Sequence, residues 1–390
     1  MSRVARVRSE PYRLFFPLGV LLSWAGVGHW LLFGWGATQE YRSVFHAMTQ
    51  VQGFLMCFAA GFLPTMLPRR TSSPAPALGL IVLCSICPVA TSVAAWHEAW
   101  VLAQLCWLIF AVALLCFAVP RLGPTLGTRP PPHSFVWIPA ALTLGILGAL
   151  MTAVGAAMGP ASWSLHEMGR GLVLQGMFVA LVLGVGSFAI PLMIRGEAAA
   201  DVAGEPRDRL VRILHLLGIG VLVASFVVEA WGPVRLGLAL RGAVTWAVLL
   251  LVARLHRAPR RPGLIRWSIW SAAWCVPIGY TLASLSPLAV TGPLHITFIG
   301  GFALLALSVG SQVILGHGGY ERLKNGHPWA LLVMIAALLL ATLARVMMVV
   351  REDQLLRWTS WAAGLFLVAT ATWSAFLLPK LFREPREHER

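Results

Sequence analysis

Charged residues are scarce in this sequence. They make up 12% of its 390 positions, whereas a soluble domain carries roughly 25%. Hydrophobic residues make up 58%, and the mean hydropathy is +0.77. Much of the polar surface that a soluble protein needs is therefore missing. This composition excludes a water-soluble fold and indicates that lipid is the main solvent of the chain.

Several chemical signatures are also absent. The six cysteines all lie in apolar runs and form neither a disulfide framework nor a Cys-x-x-Cys-His motif for covalent haem attachment. No paired carboxylates, phosphate-binding loop or nucleophile triad is found, so any catalysis would depend on a bound cofactor. The sequence identifies no catalytic residue, and no stretch is long enough for a soluble domain. We therefore expect residues 1–390 to form a single transmembrane domain.

Long apolar runs are abundant. A spanning helix needs roughly 20 apolar residues, and the chain offers about twelve such helices. We expect them at residues 14–36, 44–67, 76–95, 98–119, 135–157, 165–194, 210–230, 234–254, 265–288, 292–315, 328–350 and 358–379. The first follows a basic N-terminus and is expected to be retained rather than cleaved as a signal peptide. The sequence predicts an all-α, polytopic membrane protein.

The distribution of Lys and Arg predicts the orientation. With the N-terminus in the cytoplasm, 23 of the 30 basic residues fall in cytoplasmic loops and tails, four in the opposite loops and three within helices. This asymmetry follows the positive-inside rule and places both termini on the cytoplasmic side. It also accounts for the formal net charge of +15 without a nucleic-acid partner.

Three of the predicted helices share a local pattern. Residues 185–191 of the sixth and 309–315 of the tenth both begin Val-Gly-Ser, and the second has comparable small residues at 61–64. The second, sixth and tenth helices would then be equivalent members of a four-helix internal repeat. Small residues are, however, also common where membrane helices pack.

Four histidines fall near the predicted outer ends of four different helices: His29, His46, His166 and His295. At 1.5 Å per residue they lie within roughly 10 Å of the outer boundary. Neutral imidazole is a common ligand of haem iron and copper, so these side chains are candidate metal ligands. The alternative is that they are merely hydrated at the headgroup level. A fifth candidate, His317, lies between glycines at the inner face.

Charged side chains within the predicted helices cluster on the same outer side. Glu167 and Arg170 are one turn apart and could pair, and Arg241, Arg345 and Glu229 lie at similar depth. Arginine is a bidentate partner for carboxylates, so we expect some of the three arginines to bind haem propionates. Snorkelling or internal ion pairs are the alternative.

Short segments throughout the chain resemble the NnrS family. The matching segments are residues 11–16, 45–47, 53–54, 60–63, 186–191, 294–297 and 313–319. The resemblance implies a twelve-helix protein of the bacterial inner membrane that contains haem (heme) and copper. It also implies a link to nitric oxide metabolism, nitrosative stress and denitrification.

Residue by residue, the resemblance supports His46, His295 and His317. The chain departs from the family pattern after His46, where Met48 and Thr49 stand in place of a histidine and a glutamate. The family histidine of the sixth helix aligns with a glycine at position 171, five residues after His166. Arginines near the ends of the sixth and tenth helices are replaced by a phenylalanine at 188 and a glutamine at 312.

The favoured interpretation is a haem-binding membrane protein, with copper as a candidate second metal, that handles nitric oxide or a related small molecule. One alternative is a metal-free secondary transporter, in which Arg170, Arg241, Arg345, Glu167 and Glu229 bind the substrate. A non-catalytic sensor or assembly factor is a third option.

Overall fold

A computed structural model of the chain describes residues 3–197, 208–287 and 289–383. These residues are all-α, as predicted: the structure is 84% helical and contains no strand within the described ranges. Their twelve long helices are α1 (Tyr12–Gly34), α2 (Ser43–Thr71), α3 (Leu78–Trp96), α4 (Trp100–Leu122), α5 (His133–Met158), α6 (Pro160–Arg195), α7 (Asp208–Trp231), α8 (Val234–Leu251), α9 (Leu264–Leu285), α10 (Thr291–His317), α11 (Trp329–Val350) and α12 (Glu352–Leu381).

Eleven of the long helices in the described part of the chain are apolar and long enough to cross a membrane. The twelfth, α9, has 22 residues and lies between two of them. Its sequence includes Arg266 and three serines. The multi-pass architecture is therefore confirmed, with helix ends shifted by a few residues from the predicted ones. Residue 288, the predicted end of the ninth helix, lies outside the described residues. The orientation across the membrane stays a prediction.

The helices form an inner and an outer layer. In α2, α6 and α10, 83%, 78% and 72% of the most apolar stretch is buried inside the protein, against 22–56% in the other eight candidate spans. The other long helices surround these three. Helices that are neighbours in sequence pack together, and α12 packs against α1, which closes the outer ring.

The inner helices are the second, sixth and tenth, the same three that share a sequence pattern. Each contains a π-helical segment of five to eight residues: Thr49–Leu55, Leu172–Gly176 and Ile296–Ala303. The segments begin at residues 49, 172 and 296, so they are 123 and then 124 residues apart. This regular spacing supports a threefold repeat of four helices. π-Helical turns are rare and are frequently found at functional sites.

Candidate functional site: a histidine-lined cavity

A large cavity opens among the starts of the three inner helices. Its volume is about 880 Å³, and its wall includes residues of α1, α2, α5, α6, α10, α11 and α12. His46, His166 and His295 all line it, one from each inner helix. We call it the histidine cavity. The structure therefore brings imidazoles from three separate helices to one cavity. Their common depth in the membrane stays a prediction.

His46 lies on α2 just before the first π-helical segment. Its Nδ1 is 3.0 Å from the backbone oxygen of Gly26 on α1. A carbonyl oxygen only accepts, so Nδ1 carries the proton and Nε2 keeps a free lone pair. The ring of Trp30 packs edge-on against the imidazole, with 5.6 Å between centroids. The hydrogen bond and this ring contact fix the orientation of the imidazole.

His166 has the same arrangement on α6. Its Nδ1 is 3.1 Å from the backbone oxygen of Thr152 on α5, and its ring stacks on Trp163 at 5.4 Å. A glycine at position 155 makes this approach feasible, because a Cβ there would lie 2.7 Å from the Cβ of His166. The turn between α5 and α6 depends on Gly159, whose φ of 73° favours glycine.

His295 completes the set on α10. Its Nδ1 is 2.6 Å from the oxygen of Thr291, one turn earlier in the same helix. Its Nε2 accepts a hydrogen bond from Nη2 of Arg345 on α11, at 3.1 Å. His46 interacts electrostatically with both Arg345 and His295. These three side chains therefore form one group at the α2–α10–α11 side of the cavity.

The three imidazoles share one feature of metal-binding histidines. Each uses Nδ1–H to bind a backbone carbonyl, which fixes the tautomer and presents Nε2 as the basic nitrogen. Among the described residues, however, no group of three or more His, Cys, Asp and Glu side chains is close enough to hold one metal ion between them.

Arg345 differs from the other charged residues of the cavity in its partners. Its two hydrogen bonds go to His295 and, from Nη1, to the sulfur of Met348 at 3.0 Å. No carboxylate within the described ranges forms an ion pair with it. A guanidinium without a counter-ion is costly inside a membrane protein, so this position favours an anionic ligand.

The α6 side of the cavity carries paired charges. Nη2 of Arg170 lies 2.6 Å from Oε2 of Glu167, which confirms the predicted pair. Oε1 of Glu167 is buried and has no hydrogen-bond partner. Both residues line the cavity.

Arg241 lies behind the wall of the cavity rather than in it. Its side chain is fully buried and binds the carboxylate of Glu229 and, at 2.7 Å, Oε1 of Gln175. Both of these partners line the cavity. The guanidinium also stacks on Phe226 at 3.7 Å. In this structure Arg241 therefore positions two polar groups that face the cavity.

Two of the predicted histidines lie elsewhere. His29 on α1 is buried beside Trp96, and its Nε2 accepts the backbone N–H of Arg42 at 3.4 Å. His317 lies at the far end of α10, where it stacks on Tyr12 at 5.4 Å and contacts Arg69. Neither lines the histidine cavity.

The family model described as NnrS protein matches residues 6–386 of the chain. The chain belongs to the NnrS family. Membership supports a nitric-oxide-related membrane protein at the level of the family. No curated protein matches the chain.

This NnrS-family protein also places glutamines in the cavity that were not predicted. Gln50, Gln52, Gln104 and Gln175 all line it. Nε2 of Gln52 donates to Oε1 of Gln104 at 3.1 Å, while Oε1 of Gln52 is buried without a partner. Amides inside apolar spans were a usable signal, because an amide at membrane depth also needs partners.

A short loop closes one edge of the cavity. Tyr41 lines the wall, and the next residue, Arg42, is held by Glu40 at 2.5 Å and by the ring of Trp96 at 4.3 Å. The hydrogen bond from Arg42 holds the pKa of the exposed Glu40 carboxyl below its usual value. The loop is thus fixed by surface charges, whereas most of the wall is built from helices.

Proposed function

We propose that the histidine cavity binds haem, with His46 and His295 as the first candidates for iron ligation and His166 as the third. The protein would act in handling nitric oxide or nitrosative stress in a bacterial inner membrane. The observation that carries this proposal is the shared state of the three imidazoles, each with Nδ1 bound to a carbonyl and Nε2 as the basic nitrogen.

The dimensions and ligands of the cavity fit a haem. Its volume of about 880 Å³ falls within the roughly 300–1,000 Å³ typical of ligand and cofactor pockets. Haem iron takes only one or two axial ligands from the protein. It therefore does not need the cluster of three or more ligands that the described residues lack.

The arginines supply the complementary charge. Ligation at Nε2 of His295 would release the guanidinium of Arg345 from its present hydrogen bond, leaving it to bind a propionate. Arg170 lines the cavity and is half exposed, so it is available to a second carboxylate. Arg241 would act indirectly, by holding Glu229 and Gln175 in place.

A bound haem would supply an iron centre able to bind nitric oxide. The residues of this chain would orient it, exclude bulk water and neutralise its carboxylates. Copper remains part of the proposal as a second metal, for which the sulfur of Met48 in the cavity wall is a soft ligand.

The test is the colour and metal content of the purified, detergent-solubilised protein. We expect a Soret band that shifts with nitric oxide, and iron by mass spectrometry, with copper measured in the same sample. His46→Ala and His295→Ala should each lose most of the haem. His97→Ala, a change at an exposed position after α3, should not.

The propionate assignment is tested separately. Gln substitutions of Arg170, Arg241 and Arg345 should lower the haem content, with the largest loss for Arg345. Unchanged haem in all three variants would show that these arginines do not bind the propionates. The haem proposal itself would fail if the wild-type protein were colourless and free of iron.

A metal-free secondary transporter is the second candidate. It is favoured by the buried Arg241–Glu229 pair behind the cavity and by the unpartnered Oε1 of Glu167 inside it. Buried charges at a cavity between repeated helices mark transporter substrate sites. A colourless protein without metal would support this function over the first.

A further inference from the structure

A second, smaller cavity lies between the same three inner helices. It has a volume of about 100 Å³. We call it the apolar cavity, because all 17 residues that line it are Phe, Leu, Ile, Val, Met, Ala or Gly. All but Phe16 belong to α2, α6 and α10.

The two cavities follow one another along the bundle axis. On α2 the last residue of the histidine cavity is Leu55 and the first of the apolar cavity is Phe58; on α6 the corresponding pair is Gln175 and Phe178. A gap of three residues corresponds to about 4.5 Å of helix rise. The cavities are therefore neighbours separated by a thin layer.

The boundary between the two cavities is flanked by one phenylalanine from each inner helix: Phe54, Phe178 and Phe302. They are spaced 124 residues apart, in step with the repeat. Phe54 lines the histidine cavity and Phe178 the apolar one. Phe178 packs edge-on against Phe302 at 4.8 Å. We call these three residues the phenylalanine layer.

We propose that the apolar cavity binds a small, uncharged, apolar molecule of the size of a dissolved diatomic gas or a xenon atom. Water is a poor occupant, because a buried water needs two to four polar partners and no side chain in this lining offers one. Cavities of about 150 Å³ with similar walls stay dry and bind xenon. A molecule of this class partitions into lipid, so it can reach the bundle from the bilayer.

This site goes beyond the function proposed above and needs no metal. It would place an apolar molecule one helical turn from the histidine cavity, across the phenylalanine layer. The two proposals can therefore succeed or fail independently.

Xenon is the probe that tests the site. In crystals of the wild-type protein held under xenon pressure, we expect an anomalous peak between α2, α6 and α10, on the far side of the phenylalanine layer from His46. Ordered water in that place, or xenon bound only elsewhere, would overturn the proposal.

Filling variants provide the second test, read by the xenon-129 chemical shift of the protein in detergent. Ala306→Phe places a ring in the cavity, and Ala189→Leu is a smaller filling change should the first variant fold poorly. Both should abolish the saturable shift. Ala336→Phe, at an exposed position of α11, should retain it. A saturable shift that persists in both filling variants would contradict the proposal.

Discussion

The histidine cavity and the apolar cavity are built from the same three helices and differ in almost every chemical respect. The first carries imidazoles, guanidiniums, carboxylates and amides; the second carries only hydrocarbon, glycine and one thioether. The change takes place within about one helical turn. This change in polarity follows the position along the helix. A polar side chain near a helix end costs less free energy than one toward the middle of a membrane.

The two cavities also differ in their contacts with the outer helices. Polar groups in the histidine cavity are held by partners on outer helices, such as the carbonyls of Gly26 and Thr152 and the guanidinium of Arg241. The apolar cavity needs only close packing from its neighbours. Substitutions should therefore damage the two cavities in different ways.

The largest expected loss of stability follows the removal of the buried charge of Arg241, behind the histidine cavity. Arg241→Met leaves Glu229 without its buried partner, which should cost about 3–5 kcal/mol and sharply lower the thermal unfolding temperature in detergent. Arg170→Met removes a pair of similar type in which the arginine side chain is 45% exposed, worth roughly 0–1 kcal/mol. Equal losses in the two variants would contradict the distinction based on burial.

A polar group in the apolar cavity should have the next largest effect. Val309→Asn introduces an amide for which the lining offers no side-chain partner. The cost should be about 1–3 kcal/mol, measured as a lower unfolding temperature together with loss of bound xenon. Val309→Ala is the matched control, since it enlarges the cavity without adding polarity and should keep the xenon site.

A substitution at the close contact between α5 and His166 should have a smaller effect on stability. Gly155→Ala forces a Cβ to within 2.8 Å of the Cα of His166, and overpacking typically costs about 1–3 kcal/mol. The better helix propensity of alanine offsets roughly 0.8–1 kcal/mol of this. Gly28→Ala on α1, where a Cβ meets nothing within 4 Å, should instead raise the unfolding temperature. Stabilisation by both changes would mean that α5 and α6 are not tightly packed here.

The smallest effect should come from the loop beside Tyr41. Since Arg42 lowers the pKa of Glu40 from 4.5, the pair stabilises the fold above that value and is lost as the pH falls through the lowered pKa. Wild type and Glu40→Gln should therefore differ slightly in unfolding temperature at neutral pH and converge in acid. A difference that grows on acidification would contradict this sign.

Hydropathy along the sequence predicted the architecture well, because each spanning helix must by itself be long and apolar enough to cross the bilayer. The central position of α2, α6 and α10 was harder to predict. Only the sequence pattern shared by residues 61–64, 185–191 and 309–315 set these three helices apart. The structure brings His46, His166 and His295 into one cavity, and their depth in the membrane stays a prediction. Depth alone could not exclude His29, because α1 belongs to the outer ring and this side chain faces Trp96 rather than the cavity.

Arg241 illustrates a second limit. The sequence predicts its depth in the span, but whether it faces the cavity or lies behind the wall depends on the rotation of α8 against α7 and α6. Periodicity along a span that is apolar on every side does not determine that rotation. For Gln175 the signal was present in the sequence, as a lone amide in an apolar run, and was not used.

The π-helical turns have a mechanical consequence. A turn closed by i→i+5 bonds contains one residue more than an α-helical turn, and one residue corresponds to about 100° of rotation. Each inner helix therefore consists of two α-helical segments that are rotated relative to each other at the π-helical turn. Different faces of the sequence point to the axis of the bundle before and after that turn. Deleting one residue from a π-helical turn would leave both α-helical segments intact but would rotate His46 or His295 away from the other histidines of the cavity.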